Sequence, residues 1–233
     1  MDTIGCGGVW HCSGYSVDPV SNILFDLESN IPIQEITNSG VPSVKAKIKK
    51  SLDFWRNRTE QDLSAYEELS KMWDNVGKKD WTPTSVPWSA AWVSYQFKDI
   101  GFKPRAAHYQ YIQDVLDGTN PNWYAVSLLK QPNIPLNVGD IVVFPRGTGS
   151  PTENAFFYTH GDIVYQADKN GAVVTVGGNL GDKVKISKRL RMENGQLISP
   201  SPYVIALKRK KKAVPIVALL ALGGILAWWV VKK

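Results

Sequence analysis

Two short segments bring together residue types that can cut an acyl bond. Pro87-Trp88-Ser89-Ala90-Ala91-Trp92-Val93-Ser94-Tyr95 puts Ser89 where an apolar helix begins, and Tyr158-Thr159-His160-Gly161-Asp162-Ile163-Val164-Tyr165 opens a strand-like run with His160. A helix start offers N–H groups without intrahelical acceptors and the positive end of the macrodipole, so a hydroxyl there has help in carrying negative charge. A histidine within reach takes the hydroxyl proton during attack, which makes Ser89 the candidate nucleophile and His160 its general base. Serine is also a preferred helix N-cap, so the same residue in the same place also fits a purely structural role.

The elements that must position these residues follow from periodicity. Residues 1 to about 45 are rich in Gly, Ser, Asn and Pro and read as an irregular arm. Between Val44 and Val76 the apolar residues Ile48, Leu52, Trp55, Leu63, Tyr66, Leu69, Met72 and Trp73 recur at helical spacing, which predicts one or two helices. A helix from Ser89 to Asp99 is expected to close at Gly101, and another to run from Arg105 or Ala106 to Leu116 before Gly118. The second half changes period: 141–144, 162–165, 172–176 and 184–186 are short β-branched runs separated by Gly, Pro and Asn, hence strands. Helices followed by a small antiparallel sheet make the expected class α+β. Gly177-Gly178-Asn179-Leu180-Gly181-Asp182 joins two strands and reads as a hairpin, not a phosphate cradle.

The formal charge of +6 looks like a nucleic-acid signature until it is located. Seven of the 27 basic residues lie at 208–212 and 232–233, leaving 20 against 21 acids in residues 1–207. So nearly neutral a body excludes a broad phosphate-binding face, and no nucleic-acid partner is expected. Residues 213–231 carry no charge, end near Trp228 and Trp229, and are flanked by lysines, the pattern of a transmembrane helix contacting a lipid bilayer. The basic segment 208–212 would then be juxtamembrane and, by the positive-inside bias, cytoplasmic. With no secretory signal after Met1, the chain reads as single-pass and tail-anchored. Cys6, His11 and Cys12 are too few and wrongly spaced for a closed zinc site, so neither metal nor cofactor is expected.

Five motifs in order carry a resemblance: Trp88-Ser89-Ala90-Ala91-Trp92-Val93-Ser94, Ala106-Ala107-His108-Tyr109-Gln110-Tyr111-Ile112, Val138-Gly139-Asp140-Ile141-Val142, His160-Gly161-Asp162-Ile163-Val164 and Gly177-Gly178-Asn179. Together they resemble a domain family of uncharacterised function that is related to CHAP-type amidases and NlpC-type peptidases of bacterial cell walls. The resemblance implies a papain-like hydrolase domain over residues 46–207, with Ser89 standing where such enzymes carry cysteine. It implies His160 as base, with Asn179 or Asp162 orienting it, and His108 and Trp88 as substrate contacts. Cys12-Ser13-Gly14-Tyr15 resembles the nucleophile motif of NlpC-type peptidases and makes Cys12 a rival, though Pro19 soon interrupts any helix it starts.

The function expected from this is a membrane-anchored peptidoglycan hydrolase, amidase or endopeptidase, acting in cell-wall penetration or lysis. Peptidoglycan lies outside the membrane while the charge bias places the domain inside. A membrane-containing bacteriophage reconciles the two, because its capsid proteins assemble on the cytoplasmic face of the host inner membrane and enclose such a domain beside the virion membrane. The rival expectation is a catalytically inactive membrane or virion protein that keeps the fold.

Overall fold

The computed structural model describes residues 42–82, 86–131, 133–146, 159–198 and 203–210. The Ser43 hydroxyl accepts the Ala46 N–H at 3.2 Å and starts α1, Val44–Trp55, whose buried residues Ile48, Ser51 and Trp55 share one face. In α2, Leu63–Asn75, the buried set is Ala65, Leu69, Met72 and Trp73, again one stripe. α3, Ser89–Gln96, differs: every residue but Tyr95 is buried, so it is wrapped by protein on all sides. It gives way to a 3-10 turn at Lys98–Ile100 and ends at Gly101, whose φ of 76° is the left-handed stop expected there. α4, His108–Leu116, buries His108, Tyr111, Ile112, Asp114 and Val115.

Seven antiparallel strands follow among the described residues: β1 Trp123–Ser127, β2 Ile141–Pro145, β3 Thr159–Ala167, β4 Ala172–Gly177, β5 Lys185–Glu193, β6 Gln196–Leu197 and β7 Ile205–Arg209. Their order in the sheet is β1-β7-β2-β3-β4-β5-β6. One face packs under the helices through Ile141, Val143, Ile163, Val176 and Leu207. The other carries a second apolar cluster that includes Val142, Val164, Val173, Tyr203 and Ala206. Strands covered on both faces read as continuous apolar runs, which is why Ile141-Val142-Val143 shows no alternation.

The fold is therefore α+β, but the expected papain-like plan of helices on a small sheet plus a transmembrane helix is corrected. Three strands escaped the sequence. β1 opens with Trp123-Tyr124 and has no flanking alternation to mark it, and β6 has only two residues. β7 was hidden in the approach to the basic segment. It lies between β1 and β2, pairing Ala206 with Val126 and Val142, so the domain does not end at residue 207. Lys208, counted above as a juxtamembrane cation, is 5% exposed, bonded to the Pro135 carbonyl at 3.0 Å and ion-paired with Asp140. Among the described residues no helix is long and apolar enough to cross a membrane, and residues 213–231 lie outside those described, as do Cys6, His11 and Cys12.

Candidate functional site

Side-chain hydrogen bonds hold the start of α3 in place. Trp88 occupies the N-cap position, and no side chain caps the helix there. Its indole is 1% exposed, stacks on Trp55 at 4.8 Å and donates to the buried Glu60 carboxylate at 2.5 Å. Trp88 is thus a core anchor for the helix start, not the surface for a substrate that its neighbourhood suggested. One turn on, Trp92 donates to Ser51 of α1 at 2.9 Å, and the Ser94 hydroxyl bonds both the carbonyl and the N–H of Arg105 at 2.9 Å. The last pair ties α3 to the segment that leads into α4.

Ser89 is the first residue of α3 rather than its cap, so its hydroxyl is not spent on the helix N–H groups. Instead Ser89 Oγ lies 2.7 Å from His108 Nε2. The partner of Ser89 is His108, which was expected only to touch substrate, and not His160. α4 presents His108 and, one turn later, Tyr111, whose hydroxyl is 2.5 Å from His108 Nδ1. Both nitrogens of His108 are thereby held by hydroxyl groups. Arg105 and Lys103 fix α4 from the other side by gripping Asp114, Arg105 Nε at 2.6 Å and Lys103 Nζ at 2.9 Å, which holds the Asp114 carboxyl below its ordinary range. The Gln110 side chain accepts the Ala107 N–H at 3.3 Å, although alanine supplies no cap in return.

The strand period explains why His160 is displaced from its expected role. Successive residues of β3 face opposite sides of the sheet. Gly161, Ile163 and Tyr165 turn toward the helices, while Asp162 and Val164 turn to the far cluster. His160 shares the period of Asp162, and its ring lies 5.2 Å from both Phe144 and His108, centroid to centroid. The bare Cα of Gly161 is what lies against Tyr111 and His108; a Cβ there would stand well inside contact with the Tyr111 hydroxyl and 3.0 Å from His108 Nδ1. Gly177 on β4 does the same for the second pair, since a Cβ there would overlap Asp162 Oδ1 and come 3.0 Å from His160 Nε2.

Donor and acceptor counting fixes the state of His160. Arg146 Nη2 is 2.5 Å from His160 Nδ1, and a guanidinium only donates, so Nδ1 is an acceptor and the ring proton sits on Nε2. That nitrogen faces Asp162 Oδ1 at 3.0 Å, in close electrostatic contact but off the line of a hydrogen bond. Asp162 Oδ2 accepts from Tyr203 at 2.7 Å, and the Tyr203 oxygen in turn accepts from Thr175 at 2.8 Å. With Nδ1 accepting from Arg146 and the ring proton on Nε2, His160 has no lone pair for the Ser89 proton. Of the two expected orienters, Asp162 lies beside His160. Asn179 takes a left-handed turn conformation with φ of 54° and makes no hydrogen bond to either histidine.

All these groups are buried: Ser89 is 2% exposed, His108 7%, His160 and Asp162 0%. Burial holds the His108 imidazole well below its ordinary pKa, and the positive charge of Arg146 pushes the same way. Burial also raises the Tyr111 phenol, with Asp162 adding to it, so Tyr111 stays protonated. The folded site thus refuses a proton that the unfolded chain binds below about pH 6.5, so stability is lost as pH drops below that value, with a slope approaching about 1.4 kcal/mol per unit. His108→Gln is expected to remove that slope; urea unfolding of both proteins at pH 7.5 and 5.5 checks it, and equal slopes would refute it. Among the described residues no three His, Cys, Asp or Glu side chains converge as a metal site.

A nucleophile at a helix start, a neutral base on it and a neutral orienter behind the base can perform acyl transfer. No curated protein matches the chain. Residues 50–217, most of the chain, match the family described as "Uncharacterized protein conserved in bacteria (DUF2272)", and the chain belongs to that family.

Proposed function

We propose that the protein is a serine hydrolase that cleaves amide bonds in the peptides of bacterial cell walls. The observation that carries the proposal is the 2.7 Å contact between Ser89 Oγ and His108 Nε2 at the first residue of α3. In the reactive tautomer His108 Nδ1–H donates to Tyr111, leaving the Nε2 lone pair toward Ser89. Ser89 Oγ bonds to the substrate carbonyl carbon while its proton passes to Nε2. The amide C–N bond then breaks as Nε2–H gives that proton to the leaving nitrogen. Water, giving a proton to His108 Nε2, bonds to the acyl carbon; the bond to Ser89 Oγ breaks, and Nε2–H returns the proton to Oγ. The first-turn N–H groups of α3, which have no acceptor within the helix, are the candidate donors to the oxyanion.

Peptidoglycan as substrate draws its support from the motif resemblance to CHAP-type and NlpC-type enzymes. Contact with a lipid bilayer, and a place in a phage virion or host inner membrane with capsid proteins as partners, draw theirs from the uncharged run 213–231. Release of new amines from peptidoglycan by the full chain, absent with Ser89→Ala, is the expected result. No release under conditions where a control lysin works would sink the proposal. The burial of Ser89, His108, His160 and Asp162 favours the rival reading of an inactive structural protein, and the same assay separates the two.

A further inference from the structure

Arg146 is an arginine hydrogen-bonded to a neutral imidazole. It follows β2 directly, and one of its five N–H donors is used on His160 Nδ1. Among the described residues it forms no ion pair with a carboxylate; Asp162, whose negative charge acts on it, contacts the other ring nitrogen of His160. Arg146 is exposed, yet packing around its guanidinium removes part of its hydration and lowers its pKa, with no ionic partner among the described residues. Its charge nonetheless reaches His108, which it helps hold neutral. What pins it is itself fixed: the His160 ring stands between Phe144 and Asp162, and Asp162 is held by Tyr203 and Thr175. A planar fork of donors held in one orientation by His160, with its charge reaching His108, matches a carboxylate better than any other common group.

We propose that Arg146 is the anion-binding residue of the Ser89 site, and that the substrates are amides bearing a free carboxylate close to the scissile bond. The substrate class rests on the hydrolase reading above; the anion site itself does not. In this arrangement His160 and Asp162 are positioning residues, because they touch neither substrate nor nucleophile and act by aiming Arg146. This gives a role to the buried His160–Asp162 pair that proton transfer does not use.

Two experiments separate the claims. Binding to the full-length Ser89→Ala protein is measured by titration calorimetry with N-acetylalanine, N-acetylalaninamide and N-acetylglutamic acid α-amide. N-acetylalanine is expected to bind at least tenfold tighter than its amide if a terminal carboxylate is read, and the glutamic derivative tenfold tighter if a side-chain carboxylate is. Arg146→Gln is expected to abolish the preference and Arg146→Lys to keep part of it. Equal binding of all three ligands, or a preference unchanged in Arg146→Gln, overturns the proposal. On the unsubstituted chain, a fluorophosphonate with a carboxylate tail is expected to label Ser89 at least tenfold faster than its methyl ester, and equal labelling rates overturn the substrate class. Carboxylate-selective binding with no labelling by either reagent sinks the hydrolase reading and the substrate class, and leaves the anion site standing.

Discussion

Ser89→Ala is expected to lower amide cleavage by about a thousandfold or more, and His108→Ala by about the same factor. The double variant should lose little beyond either single one, because the two side chains act as one unit: the base has nothing to deprotonate without the hydroxyl, and the hydroxyl stays protonated without the base. A cap would behave otherwise. Trp88, not Ser89, holds the N-cap position, so the stability change in Ser89→Ala comes from the lost bond to His108 and amounts to about 1 kcal/mol. Initial rates for wild type, both single variants and the double variant close the cycle. Multiplying losses would mean that the residues work independently, and the Ser89–His108 contact would then lose its catalytic meaning.

The second large effect is at a residue with no side chain. Gly161→Ala would place a methyl group against the Tyr111 hydroxyl and 3.0 Å from His108 Nδ1, where both partners are buried and Tyr111 is packed edge-on to Phe102 at 5.5 Å. Overpacking of this kind costs about 2 kcal/mol, or roughly 6 °C in Tm for a domain of this size. It also pulls the Tyr111 oxygen off the base, so activity should fall by about tenfold or more beyond what the loss of folded protein explains. Combining Gly161→Ala with Tyr111→Phe removes the atom in the way and should recover much of the stability but not the activity. Scanning calorimetry and a rate measurement on the three variants decide it. A fully stable, fully active Gly161→Ala would show that the helix–strand spacing does not constrain the base.

The sequence pointed to Ser89 as the candidate nucleophile but paired it with the wrong histidine, for a physical reason. Ser89 is announced locally, by Pro-Trp before it and an apolar run after it. Its partner is a question of which histidine shares space with it, and β3 answers through its period: the residue beside His160, a glycine, is the one that faces His108 and Tyr111 of α4. Tyr111 had no signal of its own as an orienter, since an aromatic at i+3 from His108 on an amphipathic helix reads as core, which it also is. Among the helices, the stripes at Ile48 to Trp55 and Ala65 to Trp73 were legible because one face is wet. β1 and β7 were not, since each looks like something else until its partner is known. Lys208 misled most: a basic residue in a basic run reads as solvated, and only Asp140, distant in sequence, shows otherwise.

The place of β7 bears on how this chain comes to be folded. Among the described residues β1 has β7 as its one strand neighbour, and β2 stays unpaired on one side until that strand arrives. A ribosome-bound chain can build the four helices and the β2 to β5 ladder early, but the sheet has a gap beside β2 until Ile205–Arg209 emerges. Such late, long-range closure makes folding slow and leaves two strand edges open during synthesis. A chain cut before residue 205 would therefore keep its candidate nucleophile and base in sequence while lacking the strand that closes the sheet.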